Sequence, residues 1–330
     1  MNATIKEIAK KSGYSIATVS RALRDDPKVK DETIKIVKEV AKSLNYNPNI
    51  LARIFVKKTS NIIGLALPEI TSESFSEIIR GVDEYFIERN YFTLVSSSHQ
   101  HINTLQSVSN LVSTGLLGGI IILVPYLPKE LKKILVDNNI PFVIIAGDTN
   151  IGDYDIVSVD NFYAAYSITE YLIKKGYKRI AHLAGPPENS DAKTRIEGYK
   201  AALENHKIPY KDELIFYGDF KLKSGIKGFE HFMKLKKPPE AIFCCNDLMA
   251  LGCYEKAAEM KVKIPKDISI VGIDNALFSR FLSPPLTTVE ISAHELGAKA
   301  AEILYLKITK QISTPQKVKI VPKIITRGSA

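Results

Sequence analysis

Four polar clusters stand just past apolar runs, where side chains could act on a small molecule. They are Asp148 after PFVIIAG, Asn246-Asp247 after AIFCC, Asp274-Asn275 after SIVGI, and Arg195, which is expected to begin a helix beyond RIAHLAG. Carboxylates accept hydrogen bonds, an amide does both, and a guanidinium donates in a planar fork, so the set suits a ring carrying hydroxyls or ring nitrogens. Singly, each strand-end carboxylate reads more readily as a helix cap than as a ligand group. Their recurrence at successive strand ends is what points to a binding cleft.

A second chemical face lies near the N-terminus. Val19, Ala22 and Leu23 form a buried helical stripe, which turns Ala17, Ser20, Arg21 and Arg24 outward. Small polar side chains with two arginines suit the major groove, where base edges and phosphates must be approached without bulk. An ordinary surface helix would show the same stripe.

Other chemistries are not signalled. Cys244, Cys245 and Cys253 form no CxxC or Cys/His pattern and read as reduced core thiols. His99, His101, His182, His206, His231 and His294 are scattered, without HExxH. Gly118-Gly119 precedes its strand instead of following it, so no phosphate cradle is formed. Neither an enzyme, a metal site nor a cofactor is expected. No apolar run reaches the roughly 18 residues of a membrane span, and MNATIKEIAKK lacks a signal-peptide core, so a cytoplasmic location is expected.

The elements that carry these residues follow from local pattern. Thr4-Ile5-Lys6-Glu7 is a capping box that starts a helix running to about Lys11, and Gly13 stops it. Ser15 caps a second helix, and a third, from about Asp31 to Ser43, buries Ile34, Val37, Ala41 and Leu44. Three short helices on one core fit an all-α helix-turn-helix domain over 1–46. Asn47-Pro48-Asn49 then opens a hinge over 47–60.

From residue 61 short apolar runs alternate with helical stretches, among them Ile62 to Pro68, Gly119 to Val124, Arg179 to Ala184 and Ile268 to Ile273. This is the pattern of an α/β fold with two doubly wound parallel-sheet lobes. Lobe one is expected over about 61–160 plus 290–318, and lobe two over about 161–289 plus 319–330. Charge divides along the same line. The chain holds 45 Lys+Arg and 36 Asp+Glu for a net +9, of which residues 1–60 carry +7 and the other 270 only +2. A basic head on a near-neutral body is the footprint of a nucleic-acid-binding module attached to a sensor.

TIKEIAKKSGYSIATVSRALRDD followed by NYNPNILAR resembles the DNA-binding head of the lactose-repressor/galactose-repressor family. The resemblance continues through GYKRIAHLAGPP, DAKTRIEGYKAAL, CCNDLMALG, IVGIDN and PPLTTVEI, and so spans essentially all 330 residues. It implies a periplasmic-binding-protein-like body and double-stranded palindromic operator DNA bound by a homodimer. It also implies base reading by Ile16, Ala17 and Arg21, phosphate contacts from Ser15, Thr18 and Ser20, and a minor-groove wedge at Phe55, where the family usually has Leu. In the body it implies that Arg195, Asn246, Asp274 and, more weakly, Asp148 hydrogen-bond an effector on which Phe220 packs. Pro68 to Phe75 departs from the usual Asn-Pro-Phe-Phe pattern, leaving Phe75 as either core or a second aromatic wall.

The expectation is a repressor of carbohydrate-use genes controlled by a sugar, with a purine or another metabolite, or a protein partner acting on a global regulator, as alternatives. A solute-binding transport protein shares the two-lobed body but not the basic head. No heptad segment follows Ile324-Ile325-Thr326-Arg327, so a dimer is expected in place of a coiled-coil tetramer.

Overall fold

The computed structural model describes residues 3–46, 60–68, 70, 73–99, 103–124, 128–145 and 153–330. Phe55 and Asp148 lie outside the described residues. The chain divides into two compact units, Met1–Ser60 and Asn61–Ala330.

The first unit contains α1 (Ile5–Ser12), α2 (Ile16–Ala22) and α3 (Asp31–Ser43). The capping box is present: the Glu7 backbone N–H donates to the Thr4 hydroxyl at 3.4 Å, and the Thr4 N–H donates to the Glu7 carboxylate at 2.6 Å. Gly13 closes α1 at φ 76°, a backbone state that costs glycine little. Ile8, Val19, Ala22, Val37 and Ala41 form a small core shared by all three helices.

In the second unit two six-stranded sheets have the same winding. The first comprises β1 (Ile62–Leu67), β2 (Phe92–Ser97), β3 (Leu117–Leu123), β4 (Phe142–Ile145), β5 (Ile156–Val159) and β11 (Lys317–Ile320), ordered β11-β5-β4-β3-β1-β2. All its pairings are parallel. The second comprises β6 (Ile180–Ala184), β7 (Ile215–Tyr217), β8 (Ala241–Cys244), β9 (Ser269–Asp274), β10 (Thr287–Glu290) and β12 (Lys323–Ile325), ordered β12-β10-β9-β8-β6-β7, with only β12 antiparallel.

Both faces of the central strands are covered, which is why β1, β3, β4 and β8 read as unbroken apolar runs. In the first sheet Ile63, Leu65 and Ile121 pack toward α4 (Glu73–Ile87) and α11 (Ala293–Ile308), while Ala66, Ile120 and Ile122 pack toward α5 (Thr104–Ser113) and α6 (Lys129–Asp137). In the second, Ile180, Ala241 and Phe243 face α7 (Asn161–Lys174) and α8 (Ser190–Asn205), while Leu183, Ile242 and Ile270 face α9 (Leu222–Met233) and α10 (Asp247–Glu259).

The chain passes between sheets three times: from β5 to α7, from β10 to α11, and from β11 to β12. At the second passage Ser292 takes φ 49°. Each passage is only one or two residues long, the kind of short connection at which hinge motions occur.

Candidate functional site

The carboxyl ends of the two sheets meet around a cavity of about 490 Å3. Five of the residues expected to touch an effector line it: Phe75, Arg195, Phe220, Asn246 and Asp274. Its walls differ. The first sheet and its helices supply an apolar side with Phe75, Ile78, Leu123, Ile145, Val159 and Leu296, where Ser74 is the polar exception among the described residues. The second lobe supplies Asn161, Asp191, Arg195, Asp219, Lys221, Asn246 and Asp274 around the Phe220 ring.

Arg195 sits in the second turn of α8, not at its start as the sequence suggested, because Asn189 caps the helix by accepting from the Ala192 N–H at 3.0 Å. Its Nε donates to Asn161 Oδ1 at 2.8 Å and its Nη1 donates to the Cys245 carbonyl. Burial works against the guanidinium charge, yet Cys245, Asp274 and Asp191 raise its pKa above the ordinary value. Asp191, one helical turn earlier, is pushed upward by burial, with Arg195 pulling it back. Its Oδ1 has no hydrogen-bond partner.

Asp274 ends β9 at φ 123°, followed by Asn275 at φ 55°, a costly pair of conformations for residues with a Cβ. The surrounding structure over-determines them. Asp247 is fully buried; one of its oxygens accepts from the Thr288 hydroxyl at 2.6 Å and the other from the Ala276 N–H at 2.9 Å. Arg327 donates to Asn275 Oδ1 at 2.5 Å. Gly272 leaves room for Asp247, since a Cβ there would stand 2.1 Å from Oδ1. Burial raises the Asp274 carboxyl to about 7, offset in part by Arg195 and reinforced by Asp191. Near neutrality it can therefore accept a hydrogen bond or donate one.

Asn246 lines the cavity, but both ends of its amide are engaged. Its Oδ1 caps α10 by accepting from the Met249 N–H at 3.0 Å, and its Nδ2 donates to the Phe220 carbonyl at 3.0 Å. It holds Phe220, which takes φ 63°, in place. The ring lies across Gly185, where a Cβ would come within 2.3 Å of its Cζ. Sequence reasoning passed over Asp191, Asn161 and Gly185. The Asp191/Arg195 spacing of four on one helix was the available signal for the first.

On the head, Ser15, Ile16, Ala17 and Arg21 are exposed, and Thr18 and Ser20 are half-buried. Ile16 is 47% exposed, high for an isoleucine without a packing partner. The Ser15 hydroxyl caps α2 by accepting from the Thr18 N–H at 3.1 Å and lies 2.9 Å from the Thr18 hydroxyl. The Arg24 Nε donates to the Ser20 carbonyl at 2.9 Å, while Arg21 is exposed on α2.

Residues 4–49 match the bacterial regulatory proteins of the lacI family, and residues 169–330 match a periplasmic binding protein-like domain. The HTH-type transcriptional repressor PurR of Actinobacillus pleuropneumoniae serotype 3 (strain JL03) is 31% identical over 329 residues, covering 99% of this chain and 98% of that relative. This chain belongs to the lacI family of bacterial regulatory proteins. As a lacI-family protein it is a DNA-binding transcriptional repressor, and its relatives are regulators and not enzymes. The fold is shared with the Lac repressor dimer bound to operator and the anti-inducer ONPF (TM-score 0.91, 24% identity, 100% of this chain and 99% of that one). It is also shared with a LacI family transcriptional regulator from Enterococcus faecium with bound ribose (TM-score 0.74, 25% identity, 81% and 98%). No helix among the described residues is long and apolar enough to cross a membrane.

Proposed function

We propose that this lacI-family repressor controls carbohydrate-use genes. In this reading Ser15, Ile16, Ala17, Thr18, Ser20 and Arg21 contact a palindromic operator, and a sugar held in the cleft sets the affinity for DNA. The observation that carries the effector reading is the convergence of Phe220, Arg195 and Asp274 on one cavity of about 490 Å3, inside the roughly 300–1,000 Å3 typical of small-molecule sites. A sugar has an apolar C–H face for the phenyl ring and a polar edge for the charged groups. The ribose bound to the Enterococcus faecium regulator supports the same class. The relatives named PurR favour a purine as the second reading.

The protein acts as a homodimer in this proposal. The first sheet ends on β2, an edge strand exposing Phe92 (51%), Leu94 (39%) and Val95 (39%), which a second copy would cover.

Thermal unfolding of the full chain against mono- and disaccharides and purines tests the effector class. A true ligand at a hundred times its Kd adds about 2.7 kcal/mol. A shift from a sugar that disappears in Asp274→Ala supports the proposal. A shift from purines alone moves the assignment to the second reading, and no shift from any compound overturns both.

A further inference from the structure

We propose that the effector is an unphosphorylated amino sugar whose ammonium group is received by Asp191. This rests on the reading of the cleft as the effector site. Asp191 lines the cavity from the first turn of α8, and its Oδ1 is sealed from solvent by the protein yet accepts no hydrogen bond. A buried carboxylate oxygen in that state lacks a donor that the protein does not supply. No neighbouring donor reaches it: Arg195 directs Nε to Asn161 and Nη1 to the Cys245 carbonyl, neither its Nη2 nor the Lys221 ammonium bonds Oδ1, and the Ala192 N–H is held by Asn189. The missing donor comes with the ligand.

Charge decides between a hydroxyl, an ammonium and a phosphate-bearing ring. Among the described residues the cavity holds three carboxylates, Asp191, Asp219 and Asp274, against Arg195 and Lys221. A second compartment of about 270 Å3 shares Ser74 and Asp274 with it at the mouth. That compartment adds Glu73, Glu77 and Glu290 against Arg280, while His294 beside it is held on Glu84 at 2.8 Å. On a chain of net charge +9 the two compartments thus gather six acidic side chains against Arg195, Lys221 and Arg280, with burial holding Asp191 and Asp274 toward their neutral forms and Arg80 pairing Glu77 at 2.5 Å. Their field draws a small cation and repels a phosphate, for which the described residues offer no cluster of cationic donors.

Calorimetric titration of the full chain tests this with glucosamine, galactosamine and mannosamine, each beside its neutral hexose, and with glucosamine 6-phosphate and glucose 6-phosphate. The expected result is one amine binding at least about ten-fold more tightly than its hexose, with that ratio collapsing toward one in Asp191→Asn. Asp191→Ser serves the same purpose if the asparagine variant does not melt cooperatively. A hexose, sugar phosphate or purine that binds tightest, with binding lost in Asp274→Ala, overturns the amine assignment and leaves the cleft as the effector site. An amine preference unchanged in both Asp191 variants also overturns it. No binding by any probe removes the sugar-effector reading itself, and this inference with it.

Discussion

Asp274 and His182 titrate in opposite directions. His182 is fully buried, stacked 4.3 Å from Phe243 and 5.3 Å from Tyr199, with Nδ1 3.0 Å from the Phe243 carbonyl and Nε2 unpartnered. Burial drives its pKa down to about 3, the Phe243 carbonyl opposing and Arg195 assisting. Between its ordinary 6.5 and about 3 the unfolded chain binds a proton that the folded chain refuses, so this residue makes stability fall with acid. Asp274, raised from 3.8 to about 7, is protonated in the folded state over most of the same window and makes stability fall as pH rises. From about pH 4 to 6.5 the two slopes oppose, each at most about 1.4 kcal/mol per pH unit. Asp274→Asn should expose the histidine slope, and His182→Gln the opposite one. Urea unfolding at pH 4.5, 5.5 and 6.5 measures this, and profiles parallel to wild type in both variants would refute the assignment.

At the same scale, Gly185→Ala should push the Phe220 ring from its seat, because the added methyl has no space beside Cζ. The expected loss is roughly ten-fold in sugar affinity, about 1.4 kcal/mol, with operator binding by the unliganded protein unchanged. Titration of the sugar identified by thermal unfolding would show it; wild-type affinity would mean that the ring does not contact the ligand.

Among the elements, the turn from Asp274 to Ala276 depends on Asp247, whose carboxyl burial pushes well above the ordinary range, with Asp274 adding to the effect. Its two oxygens accept from the Thr288 hydroxyl and the Ala276 N–H, and an asparagine amide can keep the second contact with its oxygen while donating to Thr288 with its nitrogen. Asp247→Asn should therefore keep stability within about 1 kcal/mol, whereas Asp247→Ala should cost about 1–3 kcal/mol for each buried group left unpaired. Chemical denaturation of the two variants distinguishes them. Equal losses would mean that the amide cannot take over the two carboxyl contacts. On α2, Arg21→Ala should weaken operator binding by about 1–3 kcal/mol in gel shift, as expected for a base contact. A loss uniform over unrelated sequences would mark Arg21 as a phosphate contact instead.

Legibility also divides among elements. Strands such as Ile62–Leu67 and Phe142–Ile145 were readable because both faces are covered and every residue is apolar. The strand Thr287–Glu290, with its TTVE sequence, carries no such signal, and its place is set by pairing with β9 and β12. Arg195 and Asp274 were legible as polar residues at or beyond strand ends, whereas Phe220 came only from the family resemblance. Asn246 was read as a ligand contact, yet the Met249 N–H and the Phe220 carbonyl engage its amide, a distinction visible only when the loop before α9 is assembled beside α10. Asp191 stayed hidden for a related reason: an oxygen without a partner is defined by what surrounds it in space.

For the whole molecule, a homodimer paired through β2 should be broken by Leu94→Lys, which places a charge in the covered edge. Sedimentation should then report a monomer, and operator affinity should drop with it, since two half-sites are no longer held together. A monomeric variant with undiminished operator affinity would argue against the dimer as the binding unit.

The unequal walls of the cleft impose an order on its closure. A sugar can make its hydrogen bonds on the polar second lobe while the apolar first lobe is still solvated, so the final step buries Phe75, Ile78, Leu123, Ile145 and Leu296. That step carries a negative heat-capacity change, and its driving force fades on cooling. Under the proposed sugar control, repression is thereby tied to temperature: a closed, liganded state would lose ground in the cold even though every hydrogen bond to the sugar remained available.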